Sequence, residues 1–209
     1  MIKSVSLAGK KIGEGHPCFI IAEAGSNHNG IFRQALAQID VAARAGADAV
    51  KFQNFKAEKL YIKTAGSISY LKSRQSIYDI IKAMEMPADW VPKLAQHCRK
   101  RGIIFLSSPF DEESADLLEP YVPAFKIASY EMTALPLVEY IAKKKKPVLM
   151  STGTANLKEV GEAVSAVRRT GNRDIVLMHC TARYPAPLGT MNLSSIWTMQ
   201  KKFSVPVGL

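Results

Sequence analysis

The stretch FKIASYEMTALPLVEYIAKKKKPVLMSTG, residues 125–153, shows the pattern that sets the architecture. Two short apolar runs, FKIAS and PVLMSTG, stand on either side of a segment whose apolar residues recur at helical spacing. Runs that are apolar on both faces are typical of buried parallel strands, and parallel strands need a crossover connection, usually a helix. The stretch therefore predicts a strand–helix–strand unit. The basic run at residues 143–146 is interpreted as the solvated C-terminal end of the helix, where the dipole favours cations.

The same pair of apolar run and amphipathic segment recurs on both sides of this stretch. The other runs are FIIAEAG from residue 19, ADAVKFQ from residue 47, IIFLSSPF from residue 103, IVLMHC from residue 175 and VPVGL from residue 205. Alternating strands and helices predict right-handed crossovers and a parallel sheet, either open and doubly wound or closed into a barrel. No Gly-x-Gly-x-x-Gly turn follows the first run, and polar residues end one run after another. Both observations favour an α/β fold of the (β/α)8 TIM-barrel type.

Six strand–helix units and the beginning of a seventh are visible, where a barrel needs eight. We therefore expect an incomplete barrel, a single truncated domain over residues 1–209 that belongs to a longer protein. Residues that cap helices support the positions of two of its helices. Asp111 is expected to begin a short helix, and Asn156 with Glu159 three positions later resembles a capping box.

Composition and charge exclude several classes of protein. The chain has 209 residues, 47% of them apolar and 22% charged, which is typical of a globular protein rather than a disordered one. No window approaches the ~20 apolar residues of a membrane span. The net charge of +10 favours an anionic partner, but basic residues are not interleaved with aromatic ones as in a single-strand nucleic-acid binder. Three distant cysteines, Cys18, Cys98 and Cys180, indicate reduced thiols and a cytoplasmic location.

Three ionisable residues interrupt otherwise apolar strands: Glu23, Lys51 and Lys126. Burial of one such group without a partner costs several kcal/mol. One interpretation is a structural ion pair between Glu23 and a lysine inside the barrel. The presence of three such groups at corresponding strand ends favours a polar site instead, and two convergent lysines suit a small ligand with several negative charges, such as a phosphorylated carboxylate.

The sequence STGT at residues 151–154 ends the fifth run just before a helix. Hydroxyl groups, backbone N–H groups and the helix dipole could hold a phosphate there, although the same sequence also suits an ordinary strand-to-helix turn. Ser129 and Glu131, just past the fourth run, add a hydroxyl and a carboxylate at the same edge. We therefore expect Ser151 and Ser129 on the same rim as Lys126 and Lys51.

Four further residues follow other strands and suit a sugar. Gln53 and Ser108 can hydrogen-bond hydroxyls, and the rings of Phe110 and Tyr184 can cover a pyranose or an acetamido methyl group. The alternative for each is a role in packing or in a loop.

No complete metal site is visible in this sequence. His179 and Cys180 are adjacent, so on a strand they point to opposite faces, and we interpret both as packing or supporting groups. His28 in SNHNG is the better candidate for a polar role, but no second histidine stands at ligand spacing from it.

The phrases FIIAEAGSNHNG, GADAVKFQ, FLSSPFD, FKIASYE, KPVLMSTG and HCTARYPAP, in this order and spacing, closely resemble the sialic acid synthase family. That family comprises N-acetylneuraminate synthase and relatives that make other nonulosonic acids, including spore-coat polysaccharide synthases. The match runs from about residue 19 to residue 209 and recurs at all six strand ends.

The resemblance implies a (β/α)8 barrel that condenses phosphoenolpyruvate with an open-chain N-acetylated hexosamine such as N-acetylmannosamine. The products are phosphate and a nine-carbon 2-keto acid. In such enzymes a divalent metal, Mn²⁺ or Mg²⁺, makes the sugar aldehyde electrophilic. The enol carbon attacks the aldehyde, water adds at the keto carbon, and phosphate leaves by C–O cleavage.

The resemblance also assigns roles to residues. Lys51 and Lys126, helped by Ser129 and Ser151, would hold the carboxylate and phosphate of phosphoenolpyruvate. Glu23 would lie near the aldehyde or the attacking water and Glu131 near the sugar, and either could be the general base. The sugar pocket would be lined by Gln53, Ser108, Phe110 and Tyr184.

Some features depart from the family pattern. Ala182 stands where N-acetylneuraminate synthases often have Asn, so Arg183 could replace one ligand of phosphoenolpyruvate. Residues 61–79, YIKTAGSISYLKSRQSIYD, would contribute to sugar recognition but match no single subfamily. The family's two metal-binding histidines and its C-terminal antifreeze-like domain, which reaches into the neighbouring subunit of a homodimer, are expected beyond Leu209.

We therefore expect the 209-residue chain alone to have little or no synthase activity, with no metal ligand of its own, although the parent protein is an enzyme. Two rival interpretations remain. One is a related phosphoenolpyruvate-dependent aldol synthase that acts on a phosphorylated sugar. The other is a catalytically silent barrel portion that binds phosphoenolpyruvate or sugar and serves as an assembly partner. Neither a nucleic acid nor a membrane is expected as a partner.

Overall fold

The computed structural model describes residues 4–66 and 75–209. These residues form two compact units. One comprises Ile20–Val122 and is called the Lys51 unit below. The other comprises Pro123–Leu209 together with residues 4–19 and is called the Lys126 unit.

The described residues contain nine β-strands: β1 (Val5–Leu7), β2 (Lys10–Ile12), β3 (Ile21–Gly25), β4 (Ala49–Asn54), β5 (Ile104–Pro109), β6 (Phe125–Ile127), β7 (Val148–Ser151), β8 (Ile175–Met178) and β9 (Val207–Gly208). They also contain eight α-helices: α1 (Phe32–Arg44), α2 (Ala57–Leu60), α3 (Ile77–Ala83), α4 (Trp90–Arg101), α5 (Glu112–Leu118), α6 (Leu135–Lys143), α7 (Leu157–Arg169) and α8 (Ser195–Phe203).

The Lys51 unit is built on a three-stranded parallel sheet in the order β3-β4-β5. Helix α1 connects the first two strands and turns its small and aliphatic residues Ala35, Ile39 and Ala42 to the core. Helix α4 packs against α1 and leads into β5, and it ends at Gly102, whose φ of 68° is the left-handed conformation that glycine adopts easily. This arrangement fixes the C-terminal ends of β3, β4 and β5 along one edge.

The Lys126 unit is built on a four-stranded parallel sheet in the order β6-β7-β8-β9. The predicted capping box is confirmed, because Asn156 accepts hydrogen bonds from the N–H groups of Lys158 and Glu159 while Glu159 accepts from the N–H of Asn156. The basic run ends α6 at Lys143, as the sequence predicted. The N-terminal cap Asp111 of α5 in the Lys51 unit is likewise confirmed, since its side chain accepts from the N–H of Ser114.

The hairpin formed by β1 and β2 was not predicted from the sequence. These two strands are antiparallel and only three residues long, and they turn at Ala8 and Gly9, both with positive φ. Val5 and Leu7 are buried while Ser6 between them is exposed, which is the period of two of a half-buried strand. Three residues are too few for this alternation to stand out in the sequence.

An α/β fold with parallel sheets is thus confirmed, and each of the seven apolar runs contains a parallel strand. Within each sheet the strands follow chain order, as in a barrel, with none of the reversal that marks the switch point of a doubly wound sheet. Closure into a barrel and the single truncated domain remain predictions. In the part of the chain that the structure describes, no helix has the length and apolar character to cross a membrane.

Candidate active site

Lys51 lies on β4 in register with Glu23 on β3, and the two side chains form an ion pair. Lys51 Nζ is 2.7 Å from Glu23 Oε2. The lysine is 8% exposed, whereas the side chain of Glu23 is 53% exposed. An ion pair of Glu23 with a lysine, one of the two interpretations of the sequence, is therefore present. It gives the buried ammonium group a counter-charge on a side chain that is half-exposed to solvent.

Gly25 gives this carboxylate room. The residue has a φ of 56°, and a Cβ atom at this position would lie 3.2 Å from Glu23 Oε1. A side chain there would be strained by its backbone conformation and would also crowd Glu23. The backbone conformation and the close approach of Glu23 thus both explain a glycine as the last residue of this apolar run.

Gln53 and Ser108 lie side by side on neighbouring strands of the Lys51 unit. They are paired in register, and Gln53 is on the same face as Lys51, two residues earlier. Gln53 Oε1 accepts a hydrogen bond of 2.9 Å from the hydroxyl of Ser26. The hydroxyl of Ser108 is buried and has no hydrogen-bond partner among the described residues. The structure therefore brings two of the predicted sugar-binding residues together, next to Lys51.

Phe110 and Tyr184 differ from that pair. Phe110 packs edge-to-face on Phe55, with ring centroids 5.5 Å apart, which is the packing role that was its alternative. Tyr184, in the Lys126 unit, is 95% exposed. The roles of both rings toward a sugar remain predictions. Residues 67–74 of the predicted sugar-recognition segment lie outside the described residues.

Lys126 lies on β6 and is 5% exposed. Its ammonium group donates to the hydroxyl of Ser151 on the neighbouring strand and to the carbonyl oxygen of Ile127, the latter at 3.0 Å. Ser151 Oγ also accepts from the thiol of Cys180 at 3.3 Å. Lys126, Ser151 and Cys180 are therefore connected by hydrogen bonds within the Lys126 unit.

The loop after β7 is tied to the loop after β6 through Ser129. The N–H of Gly153 donates to Ser129 Oγ at 3.1 Å, and the hydroxyl of Thr154 donates to the carbonyl of Ser129 at 2.7 Å. A Cβ atom at Gly153 would lie 3.0 Å from the Cβ of Cys180, so only glycine fits there without displacement. In this conformation the N–H of Gly153 and the hydroxyl of Thr154 bond within the protein, as in the strand-to-helix turn that was the alternative to a phosphate site.

Glu131 begins a short 3-10 turn, Glu131–Thr133, just beyond β6. Its Oε2 atom is buried and has no hydrogen-bond partner in the described part of the chain. Burial raises the pKa of this carboxyl group above its ordinary value, although the charge of Lys126 acts in the opposite direction. Glu131 therefore takes up a proton more readily than an exposed glutamate.

Two residues of the site were not found from the sequence. Ser26 lies in the SNHNG phrase and donates a hydrogen bond to Gln53. A serine that follows a glycine is common in loops, so the sequence pattern does not single it out. Cys180 was assigned only to packing or support, and its contact with Ser151 identifies what it supports. His179 Nε2 donates to the carbonyl of Met191 at 2.5 Å, which is also a supporting contact.

The described residues contain no group of three or more His, Cys, Asp or Glu side chains arranged to hold a metal ion. They do not by themselves form the divalent-metal site that the resemblance implies. That site, and the position of its ligands, remain predictions.

Each unit of this α/β protein contains a buried lysine inside a parallel strand, with hydroxyl and carboxyl groups near the C-terminal edge of its own sheet, a grouping often found in functional sites. Residues 38–209 match the NeuB family, and the chain belongs to that family. The resemblance to the sialic acid synthases is thereby confirmed.

Known relatives agree with this assignment. The spore coat polysaccharide biosynthesis protein SpsE of Bacillus subtilis is 49% identical over 192 residues, which cover 91% of this chain and 52% of that protein. The N,N'-diacetyllegionaminic acid synthase of Campylobacter jejuni is 42% identical over 196 residues, which cover 90% and 59%. The crystal structure of N-acetylneuraminic acid (sialic acid) synthetase from Leptospira borgpetersenii matches with a TM-score of 0.89 at 33% identity, over 100% of this chain and 70% of that one. The chain thus spans little more than half the length of these two curated relatives.

Proposed function

We propose that this chain contributes the phosphoenolpyruvate-binding residues of a synthase that joins phosphoenolpyruvate to an N-acetylated hexosamine. The hexosamine is N-acetylmannosamine-like, and the products are a nine-carbon 2-keto sugar acid and phosphate. The observation that carries the proposal is the burial of a lysine inside a parallel strand in each unit, Lys51 and Lys126, in a member of a family with named sugar-acid synthases. Buried cations at strand ends are costly, and binding of an anionic substrate is a function that would maintain them.

Lys51 and Lys126 would hold the carboxylate and phosphate groups, with Ser129 and Ser151 as hydroxyl partners. The contact between Lys126 and Ser151 supports this role, because the hydroxyl keeps the ammonium group in one orientation before the ligand arrives. Lys51 is oriented in the same way by Glu23. Lys51 and Lys126 belong to different units, so their convergence on one ligand is part of the proposal.

Glu23 and Glu131 would divide the proton transfers between them. Glu23 forms an ion pair with an ammonium group and is half-exposed, so it is a carboxylate that can polarise water or the sugar aldehyde. Glu131 is partly buried, with its Oε2 atom shielded from solvent, and its pKa is raised, which suits a group that gives and takes a proton. Their environments differ in the way that an acid–base pair requires.

Gln53 and Ser108 would bind hydroxyl or acetamido groups of the sugar, with Phe110 and Tyr184 as covering rings. The buried hydroxyl of Ser108 supports this role, since a buried polar group without a partner gains a hydrogen bond when a ligand supplies one. The proposed role of the two rings is supported by the family resemblance alone.

The wider assembly is proposed on the same basis. The parent protein would be a cytoplasmic homodimer that needs Mn²⁺ or Mg²⁺, with a barrel as its catalytic domain and with neither nucleic acid nor membrane as a partner. The 209-residue chain alone would show little turnover, because the metal ligands are expected elsewhere in the parent.

Calorimetry with phosphoenolpyruvate on the 209-residue chain tests the proposal most directly. We expect one phosphoenolpyruvate per chain, with binding that weakens with salt and that K51M and K126M each reduce. No binding by the wild-type chain, or unchanged affinity in either variant, would contradict the proposal. In parallel, phosphate release is measured with N-acetylmannosamine and Mn²⁺. Binding without turnover fits the proposed inactivity or a silent assembly partner, and turnover only with a phosphorylated sugar identifies a related aldol synthase.

A further inference from the structure

His28 lies in the loop between β3 and α1, and the proposed reaction gives it no role. It is 0% exposed. Its Nε2 atom is buried without a hydrogen-bond partner in the described part of the chain. A fully buried polar ring in a loop is unusual, because loop residues normally face solvent.

The ring of His28 holds the turn that follows it. The N–H of Gly30 donates to His28 Nδ1 at 3.1 Å, and the N–H of Ile31 donates to the His28 carbonyl at 2.8 Å. Asn29 and Gly30 between them have φ values of 51° and 70°, so the backbone is in the left-handed region. On its other side the ring contacts Trp90 of α4 edge-to-face, with centroids 5.3 Å apart. His28 therefore connects the loop both to its own backbone and to the neighbouring helix.

These contacts require the neutral imidazole. A nitrogen that accepts an N–H bond carries no proton, so the single proton of His28 is on Nε2. Protonation of Nδ1 would break the bond to Gly30 and place a charge in a buried position. Burial accordingly lowers the pKa of His28 below its ordinary value.

The loop fixed by His28 is the one that reaches the candidate active site. Ser26, two residues before His28, donates its hydroxyl to Gln53. Asn27 closes the turn onto the carbonyl of Ala24 through both its backbone N–H and its side-chain amide, at 3.2 and 3.1 Å. A loop in a different conformation would move Ser26 away from Gln53.

We propose that His28 is a positioning residue. As a neutral imidazole it locks the loop of residues 26–31, so that Ser26 holds Gln53 in the orientation that binds the sugar. This inference rests on the proposed function for its effect on sugar binding, but the locking of the loop does not depend on that function.

Two variants separate this role from packing alone. H28F keeps an aromatic ring against Trp90 but has no acceptor for the N–H of Gly30. H28N loses the ring but offers a side-chain oxygen that can accept from the N–H two residues later. H97N is the matched control: His97 is a partly buried histidine of the same unit that pairs with Asp40 at 2.6 Å, on α4 and away from the loop.

Hydrogen exchange on the 209-residue chain tests the locking. In H28F the protection factor of the Gly30 amide should fall at least tenfold relative to wild type. In H28N much of this protection should return, and in H97N the protection factor should equal that of wild type. Equal protection of Gly30 in wild type and H28F overturns the proposal. Equal loss in H28F and H28N also overturns it, because it would mean that only the fit of the histidine ring matters.

Titration with N-acetylmannosamine and, separately, with phosphoenolpyruvate tests the link to the site. H28F should weaken binding of the sugar roughly fivefold to tenfold and change that of phosphoenolpyruvate less than twofold, with partial rescue by H28N. Equal weakening for both ligands overturns the positioning role. If wild-type chain binds neither ligand, the proposed function fails at this point, while the exchange experiment still decides whether His28 locks the loop.

Discussion

Lys51 and Lys126 each lie buried inside a parallel strand, one in each unit, but the contacts of their ammonium groups differ. Lys51 makes an ion pair with Glu23, a carboxylate on the adjacent strand. Lys126 donates to the hydroxyl of Ser151 and to the carbonyl oxygen of Ile127. The comparison teaches that a buried ammonium group can be oriented through a counter-charge or through hydroxyl and carbonyl acceptors.

The largest expected effect is the loss of phosphoenolpyruvate binding in K126M. The side chain keeps most of its volume and loses the charge, so the charge-assisted contacts of the ligand disappear. These are worth ~1.5–3 kcal/mol, or roughly 10- to 100-fold in affinity, measured by calorimetry. K143M, which removes an exposed lysine at the end of α6, is the control and should leave affinity unchanged. Unchanged affinity in K126M would mean that Lys126 does not contact the ligand.

The elements that the sequence predicted share one physical basis. Buried parallel strands must be apolar on both faces, so a lysine or glutamate inside such a run is visible at once, and all seven runs and all three charged residues could be located in this way. Helix caps are equally local, since Asp111 and Asn156 act within three residues of themselves. These features depend on neighbours in the chain.

The features that could not be predicted depend on residues distant in the chain. A pair of Glu23 with a lysine was one interpretation of the sequence, but the choice of Lys51 is set by the register of two strands 28 positions apart. The contact between Ser26 and Gln53 depends on the same register and on a loop conformation. The exposure of Tyr184 is set by the path of the loop that follows β8, and no periodicity in the sequence encodes that path.

The next largest effect is expected for substitutions of two helix caps, one in each unit. N156A removes the acceptor for two N–H groups at the start of α7, and D111A removes the acceptors for the N–H and the hydroxyl of Ser114 at the start of α5. Each should lower the free energy of unfolding by about 1 kcal/mol. Urea denaturation measures the loss, and hydrogen exchange should locate it in the first turn of the helix concerned. N156D and D111N retain an acceptor and serve as controls, and a loss in them as large as in the alanine variants would show that the caps are not the cause.

A smaller effect is expected for the ion pair itself. E23Q removes the counter-charge of Lys51 while keeping the size of the side chain, so the ammonium group attracts phosphoenolpyruvate more strongly. Since half-exposed pairs are worth about 0.2–1 kcal/mol, the affinity should increase roughly twofold to fivefold at low salt, and turnover of the parent enzyme should fall. The matched control is E113Q, which breaks the exposed pair of Glu113 with Lys59 in the same unit and should change neither quantity. Weaker binding in E23Q would mean that Glu23 contacts the ligand directly.

The smallest effect is a pH-dependent change in Tm that has opposite sign in the two units. Burial raises the pKa of Glu131 above its ordinary value of 4.5, so above that value the native protein binds more protons than the unfolded chain and its stability falls as pH rises. E131Q lacks this loss and should gain about 1–3 °C in Tm on wild type at pH 7, but not at pH 4. Glu85 in the Lys51 unit is the counterpart. Burial acts to raise its pKa, but hydrogen bonds from the N–H of Ala57 and from Lys82 outweigh burial and lower it.

For Glu85 the unfolded chain therefore binds more protons just below pH 4.5, and stability is lost as pH falls through that range. E85Q should lie below wild type in Tm at pH 7 and approach it as the pH is lowered. Differential scanning calorimetry of both variants between pH 4 and pH 7 gives two difference curves, one rising with pH and one falling. Two curves of the same sign would mean that the charge of Lys126 outweighs burial and stabilises Glu131 as a carboxylate, as Lys82 and the N–H of Ala57 do for Glu85.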